Sequence, residues 1–356
     1  MSPARIALGL FGVALLGCAP RQPALRWEAV SIPTDATFGG VCFTDSLNGW
    51  IAGGGYLIDG GIVGRTRDGG RTWRFQSGVL PGGGTSFALT SIQFQDTLRG
   101  CAVGSAGTVL VTADGGESWR EVRRGRTSGD GLGDLDFVDA SHGWAVGSAS
   151  LVRTEDGGQS WTPWMDRVDN PKGMHLYAIR PAGGTVYIVG EQGLVLKLDR
   201  EKQRFTRVAL PYRGTLFGVV GTPGMVLVHG LRGNAYRSTD GGANWTKVET
   251  GVSAGIASGA EMSDGSVVLV SQAGHVLLST DEGATFKRVK VATATPAFSV
   301  AEAGKGTVAV AGIGGVRMVH PRSAYGAPPE GGDTGGPAEP DPRCPLEGAS
   351  CVGGKK

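Results

Sequence analysis

A hairpin motif that returns about every 42 residues, a short apolar strand that recurs seven times and closes on glycine in six of them, and the lack of any useful helical period predict an all-β chain. The expected architecture is a seven-bladed β-propeller of four-stranded antiparallel blades. The motif reads Ser/Thr-x-Asp-x-Gly-x-Ser/Thr-Trp, first as Thr66-Arg67-Asp68-Gly69-Gly70-Arg71-Thr72-Trp73, then from Thr112 to Trp119 and from Thr154 to Trp161. It returns from Ser238 to Trp245, with Asn244 in place of the hydroxyl residue, and from Ser279 to Phe286. Its aspartates, Asp68, Asp114, Asp156, Asp240 and Asp281, are spaced by 46, 42, 84 and 41 residues. The step of 84 is two periods, and Leu198-Asp199-Arg200 followed by Phe205 stands where the missing motif belongs.

The glycine-ended strands confirm the count. They are Gly49-Trp50-Ile51-Ala52-Gly53, Gly100-Cys101-Ala102-Val103-Gly104, Gly143-Trp144-Ala145-Val146-Gly147, Val186-Tyr187-Ile188-Val189-Gly190 and Val226-Leu227-Val228-His229-Gly230, then Val267-Val268-Leu269-Val270 without the glycine, and Val308-Ala309-Val310-Ala311-Gly312. The last unit has strands at about 297–302, 307–312 and 314–320 but no Trp-x-x-Val strand after them. Trp27-Glu28-Ala29-Val30 resembles Trp119-Arg120-Glu121-Val122, so the N-terminal strand is expected to complete blade seven and close the ring, which removes an exposed edge. The propeller then spans 26–322.

Segments outside the ring have other signatures. Met1-Ser2-Pro3-Ala4-Arg5, an apolar run from Ile6 to Leu16 and Gly17-Cys18 describe a secretory signal over 1–17, too short for a membrane span. Leu15-Leu16-Gly17-Cys18 resembles the bacterial lipobox, which makes Cys18 the expected lipidation site, with 18–25 as anchor and linker. The expected location is the periplasmic face or the cell surface, held to the membrane by lipid. Residues 323–356 are rich in Pro, Gly and acid and are expected to be disordered, with Cys344 and Cys351 able to close a small disulfide loop. Cys42 and Cys101 fall on strands, and spacing alone leaves open whether they meet. Glycine makes up 63 of 356 residues, which suits a fold with dozens of tight turns, and the formal net charge of +2 gives no indication of nucleic-acid binding.

Five copies of an aspartate argue for structure rather than catalysis. Each sits in an Asp-Gly-Gly or Asp-Glu-Gly hairpin, where its carboxylate can accept amide hydrogens of its own turn while the Trp packs between sheets. Asp45, Asp96 and Asp139, each ahead of a Gly-Trp or Gly-Cys strand, read as turn residues too. Function is therefore sought on the opposite rim, formed by the second-to-third turns and the blade-to-blade connections. That rim is expected to offer Arg123, Arg124, Arg126, Arg167, Tyr212, Arg213, His229 and Arg232 to a partner, along with Lys172, His175, Tyr56, Glu191, Gln192 and His275. Arginine beside Tyr and His suits carboxylates or a peptide, through bidentate bonds and stacking. No phosphate loop, zinc-ligand spacing or nucleophile elbow is found, so no cofactor, metal or catalytic residue is assigned.

The motif hairpins, alternating with strands such as Gly143-Trp144-Ala145-Val146-Gly147 across residues 27–320, make the chain similar to the photosystem II stability and assembly factor family. The resemblance implies a non-enzymatic seven-bladed Asp-box propeller that holds a membrane-protein precursor, partly through an arginine-rich surface. Arg123, Arg124 and Arg126 are its counterparts here. Asp boxes also occur in sialidases and glucan hydrolases, so glycan binding or glycoside hydrolysis is the alternative. Ser31-Ile32-Pro33 stands where a sialidase would carry an Arg-Ile-Pro segment, and Asp130, Glu191 and Asp169 are the only acids left on the second rim for a two-carboxylate mechanism.

Overall fold

The computed structural model describes residues 36–320 apart from 56, 57, 78, 80–87 and 305. It contains seven separate antiparallel sheets, each a simple meander in chain order. Blade 1 runs through Thr37–Phe43, Gly49–Gly55, Ile58–Thr66 and Arg74–Ser77. Blades 2 to 6 have the same four-strand form and begin at Leu89, Leu132, Leu176, Leu216 and Ile256. Blade 7 has three strands among the described residues, Ala297–Glu302, Val308–Gly312 and Gly315–Val319, close to the expected limits. The expected closing strand at 27–30 lies outside the described residues, as do the signal segment, Cys18, Tyr56 and the tail cysteines.

The glycine-ended strands are the second strands of the blades, and their burial explains their composition. Gly100–Gly104, Gly143–Gly147 and Val308–Gly312 are buried at every position, so both faces must be apolar. The terminal glycine answers to a close approach. A Cβ on Gly147 would stand 1.8 Å from the carbonyl oxygen of Gly131, and one on Gly230 would stand 2.2 Å from that of Thr215. These carbonyls belong to the segments entering the first strands. In blade 6, Ser271 takes this place.

Seven apolar clusters, one per blade interface, form the core. Trp50 of blade 1 stacks on Phe94 of blade 2 with ring centroids 3.7 Å apart and planes 8° from parallel, and its Nε1 donates to Gly115 O at 2.9 Å. The motif tryptophans Trp73, Trp119 and Trp161 each meet edge-on the phenylalanine that ends the first strand of the same blade, at 6.1, 6.0 and 6.2 Å. They also join the cluster shared with the preceding blade. Phe205 holds this place in blade 4, wholly buried against Trp144 and Trp164. At the seam, Phe38, Val41 and Ile51 of blade 1 meet Ala303, Ala309, Ala311 and Val316 of blade 7. Val41 N donates to Ser299 Oγ at 3.2 Å, and Thr37 bridges to Ile313.

Candidate functional site

The motif hairpins are closed hydrogen-bond units. In the first, Thr66 Oγ1 donates to Asp68 Oδ1 at 2.8 Å and accepts from Gly70 N at 2.9 Å, while Thr72 donates its amide to Oδ1 at 2.9 Å and its hydroxyl to Oδ2 at 2.6 Å. The pattern repeats at Asp114, Asp156 and Asp281, and at Asp240 the Asn244 side-chain amide replaces the hydroxyl at 2.7 Å. The Ser118 hydroxyl and amide hold Asp114 down at about 2, and the Asn244 amides do the same for Asp240. Asp45, Asp96 and Asp139 accept amides two and three residues ahead at 2.7–2.8 Å. These acids are turn residues, as their sequence positions suggest.

On the opposite rim the arginines divide into two groups. Arg123 is half-buried and donates to Gly107 O, and Arg124 grips Glu121 with two bonds of 2.6 and 2.8 Å. Arg126, Arg167, Arg213 and Arg232 are exposed. They stand on the successive connections of blades 2 to 5 and on the Leu231–Gly233 turn. Arg167 lies 5.4 Å over the Trp164 ring. Tyr212, beside Arg213, donates its hydroxyl to Leu231 O at 3.2 Å and packs on Tyr236 at 5.5 Å. Two of the acids weighed for hydrolysis, Asp130 and Glu191, accept backbone amides. Asp130 accepts the amides of Arg126 and Thr127 at 2.7 and 2.8 Å, which lowers its pKa, the wrong direction for a general acid. Glu191 accepts the His175 amide at 3.1 Å.

His229 corrects the sequence reading. It is not on the rim but within the strand Met225–Gly230, wholly buried at the wall of the central channel. The cause is Gly218 on the paired strand: a side chain there would meet the imidazole, with a Cβ only 2.3 Å from its Cε1. The ring occupies that space and its Nδ1 lies 3.0 Å from Ile256 O in blade 6. Burial lowers its pKa to about 4, with Arg180 adding to the effect.

The channel, about 740 Å³, is walled by the first strands of all seven blades and carries a charge cluster with no motif to announce it. Arg180 of blade 4 reaches Asp134 of blade 3 at 2.6 Å and Asp136 at 3.5 Å, with 35% of its side chain still open. Asp134 also accepts from Ser91 Oγ at 3.1 Å and Ile179 N at 3.0 Å, and Asp136 from Gln93 Nε2 at 2.8 Å. Three adjacent blades are thus tied at their inner edges. Burial pushes the Asp136 carboxyl up to about 6 against the opposing pull of Arg180, with Asp134 adding to the rise. The signal that could have found this cluster is an ionisable residue inside an otherwise largely apolar first strand, as in Asp134-Leu135-Asp136 and Arg180.

Cys42 and Cys101 are both free thiols. Burial pushes Cys42 to about 11 and Cys101 to about 12, so neither is a ready nucleophile. Among the described residues there is no group of three or more metal-ligand side chains, and no helix long and apolar enough to cross a membrane.

Residues 19–130 and 126–289 match the family described as Photosynthesis system II assembly factor YCF48. The chain belongs to that family. Among YCF48 relatives, the Photosystem II assembly lipoprotein Ycf48 of Synechococcus sp. (strain CC9902) is 30% identical over 157 residues, 43% of this chain and 45% of the relative. The Photosystem II assembly protein Ycf48 of Synechococcus sp. (strain JA-2-3B'a(2-13)) is 27% identical over 197 residues, 54% of this chain and 56% of the relative. The chain therefore spans about half the length of the curated relatives it matches. A solved structure described as YCF48 bound to D1 peptide superposes with a TM-score of 0.66 at 22% identity, covering 84% of this chain and 98% of that one. At that identity the likeness concerns the fold.

Proposed function

We propose that this chain is an exported, lipid-anchored scaffold that holds a segment of a membrane protein during assembly and performs no chemistry of its own. The observation that carries the reading is the arc of Arg126, Arg167, Arg213 and Arg232, exposed on the rim opposite the motif hairpins, with Tyr212 among them. Guanidinium groups spaced around a rigid ring suit an extended peptide bearing carboxylates, which they can take by paired hydrogen bonds. Membership of the YCF48 family supports an assembly role, and the D1 peptide in the related structure supports a peptide as the ligand class. Export and acylation at Cys18 rest on the Leu15-Leu16-Gly17-Cys18 segment, and two relatives are named as lipoproteins.

Arg123 and Arg124 have intramolecular roles, so the experiment should leave them in place. Affinity capture from the native membrane fraction is compared between the mature chain and a variant with Arg126, Arg167, Arg213 and Arg232 all changed to Glu. A membrane protein held by the first and lost by the second, with unchanged melting, supports the scaffold and its face. Equal capture by both removes this rim from the mechanism. Arg71→Glu, on the opposite rim, is the control and should bind normally.

A further inference from the structure

We propose, resting on the peptide reading of the arginine rim, that the mouth of the central channel at that rim takes one large apolar side chain of the bound peptide, while the arginines hold its carboxylates. The ground for this is a backbone irregularity that the repeat conceals. The first strand of every blade slips register near its start, where one residue is extra to the ladder. A bulge of this kind re-aims the side chain it carries. All seven extra residues line the channel, at the end where the blade-to-blade connections enter.

In blades 4, 5 and 7 the extra residue is aromatic: Tyr177, Phe217 and Phe298. Each ring stays partly exposed, and none joins the apolar clusters between blades. Tyr177 and Phe217 meet edge-on across the blade boundary at 5.7 Å, and the Tyr177 hydroxyl is bonded to Glu191, so this part of the wall is fixed. The far side of the mouth is bare. Blades 1, 2 and 3 place Gly39, Thr90 and Gly133 at the same position, and blade 6 places Ala257 there. Gly133 is exposed, and a Cβ on it would find its nearest atom 3.8 Å away. The mouth is therefore a slot, aromatic at blades 4 and 5 and open at blades 1 to 3.

Aromatic rings left partly wet in a concavity, outside the core, gain by being covered with apolar surface. Charge around them says what brings that surface. Arg167 and Arg213 stand on the connections that lead into the strands of Tyr177 and Phe217, so cations border an aromatic centre, the arrangement of a protein interface with an apolar middle and a polar rim. Leu231 and Ile313, both exposed, lie on the second-to-third turns of blades 5 and 7 at the same rim, so apolar surface is not confined to the mouth. Depth limits the insert to a single side chain. Ser91 and Asp134 directly follow Thr90 and Gly133 and bond to each other at 3.1 Å, with Arg180 on Asp134, and this polar layer bars a longer apolar segment.

Fluorescence anisotropy of two dye-labelled peptides, Glu-Asp-Phe-Asp-Glu and Glu-Asp-Ala-Asp-Glu, titrated with the full mature chain at low salt, tests this. The phenylalanine peptide should bind about tenfold more tightly, the gain expected for burying one ring. Phe217→Ala should shrink that preference. Gly133→Trp, which fills the slot from its bare side and leaves the three rings in place, should abolish it, a readout available even if Phe217→Ala fails to fold. Changing Arg126, Arg167, Arg213 and Arg232 to Glu should weaken both peptides alike. Equal binding of the two peptides, or a preference that survives Gly133→Trp in a variant of normal melting, would overturn the pocket and leave the arginine rim standing. Binding of neither peptide would overturn both.

Discussion

A carboxylate in this protein acts according to what donates to it. Asp114 sits in a motif hairpin and Asp136 inside a strand, and Ser118 holds the first at about 2 while burial lifts the second to about 6. Their effects on stability run in opposite directions with pH. Asp114 is depressed in the fold, so its contribution is present above the ordinary carboxylate range and is lost as pH falls toward 2. Asp114→Ala should therefore cost about 1 kcal/mol at pH 7, because the carboxylate is exposed and water screens its bonds, read by urea unfolding, and progressively less toward pH 2. Asp136 is raised, so its contribution is present below the ordinary range and is lost as pH climbs through about 6. Asp136→Asn, whose Oδ1 can still accept from Gln93, should gain about 1–3 kcal/mol at pH 8 relative to its effect at pH 4. A stability difference that does not change between these two pH values would place Asp136 in a solvated site instead. The motif aspartates were legible in the sequence because a local turn defines them. The channel cluster was not, since Asp134, Asp136 and Arg180 come together only through packing of neighbouring blades. His229 was misplaced for a related reason: its direction depends on Gly218, a residue on a different strand.

At the scale of the strand, alternation alone does not explain the repeats. Glycine closes most second strands because a carbonyl passes too near for a methyl group. The contrast between Gly147 and Gly133 makes a direct test. A Cβ on Gly147 would lie 1.8 Å from Gly131 O, whereas on Gly133 the nearest atom is 3.8 Å away. Gly147→Ala is expected to cost about 3 kcal/mol or more, and Gly133→Ala to stay within about 1 kcal/mol, by thermal melting of each. Comparable losses would mean that backbone conformation rather than crowding fixes both positions. The fourth blade shows how far the motif can decay without loss of the strand pairing. Asp199 keeps its turn by accepting from Glu201 N and Lys202 N at 3.1 and 3.0 Å, and Phe205 fills the aromatic position. Period and apolar pattern were therefore enough to find this blade, because pairing depends on the strands and the motif only finishes the hairpin.

For the molecule as a whole, the ring is a closed cycle of seven interfaces, and each blade depends on both neighbours. The count of blades was legible from the period, whereas the rim residues open to a partner were not. Distinguishing Arg126 from Arg124 requires knowing that Glu121 has already claimed the latter. Deletion of 26–33 is expected to lower the melting temperature by several degrees, since the segment at 27–30 carries the outer-strand pattern that blade 7 lacks among its described strands. An unchanged midpoint would show that closure needs only the contacts between Phe38, Val41 and the blade 7 strands.

On its second strand blade 7 presents small alanines, Ala309 and Ala311, to the seam, where blades 1, 3 and 4 present Trp50, Trp144 and Tyr187 to theirs. Less apolar area is withdrawn from water there, so the seam holds less tightly than its neighbours. The ring should thus breathe at one hinge line rather than uniformly. Deuterium would enter the amides of Val308–Gly312 sooner than those of Val267–Ser271, although both strands are buried throughout.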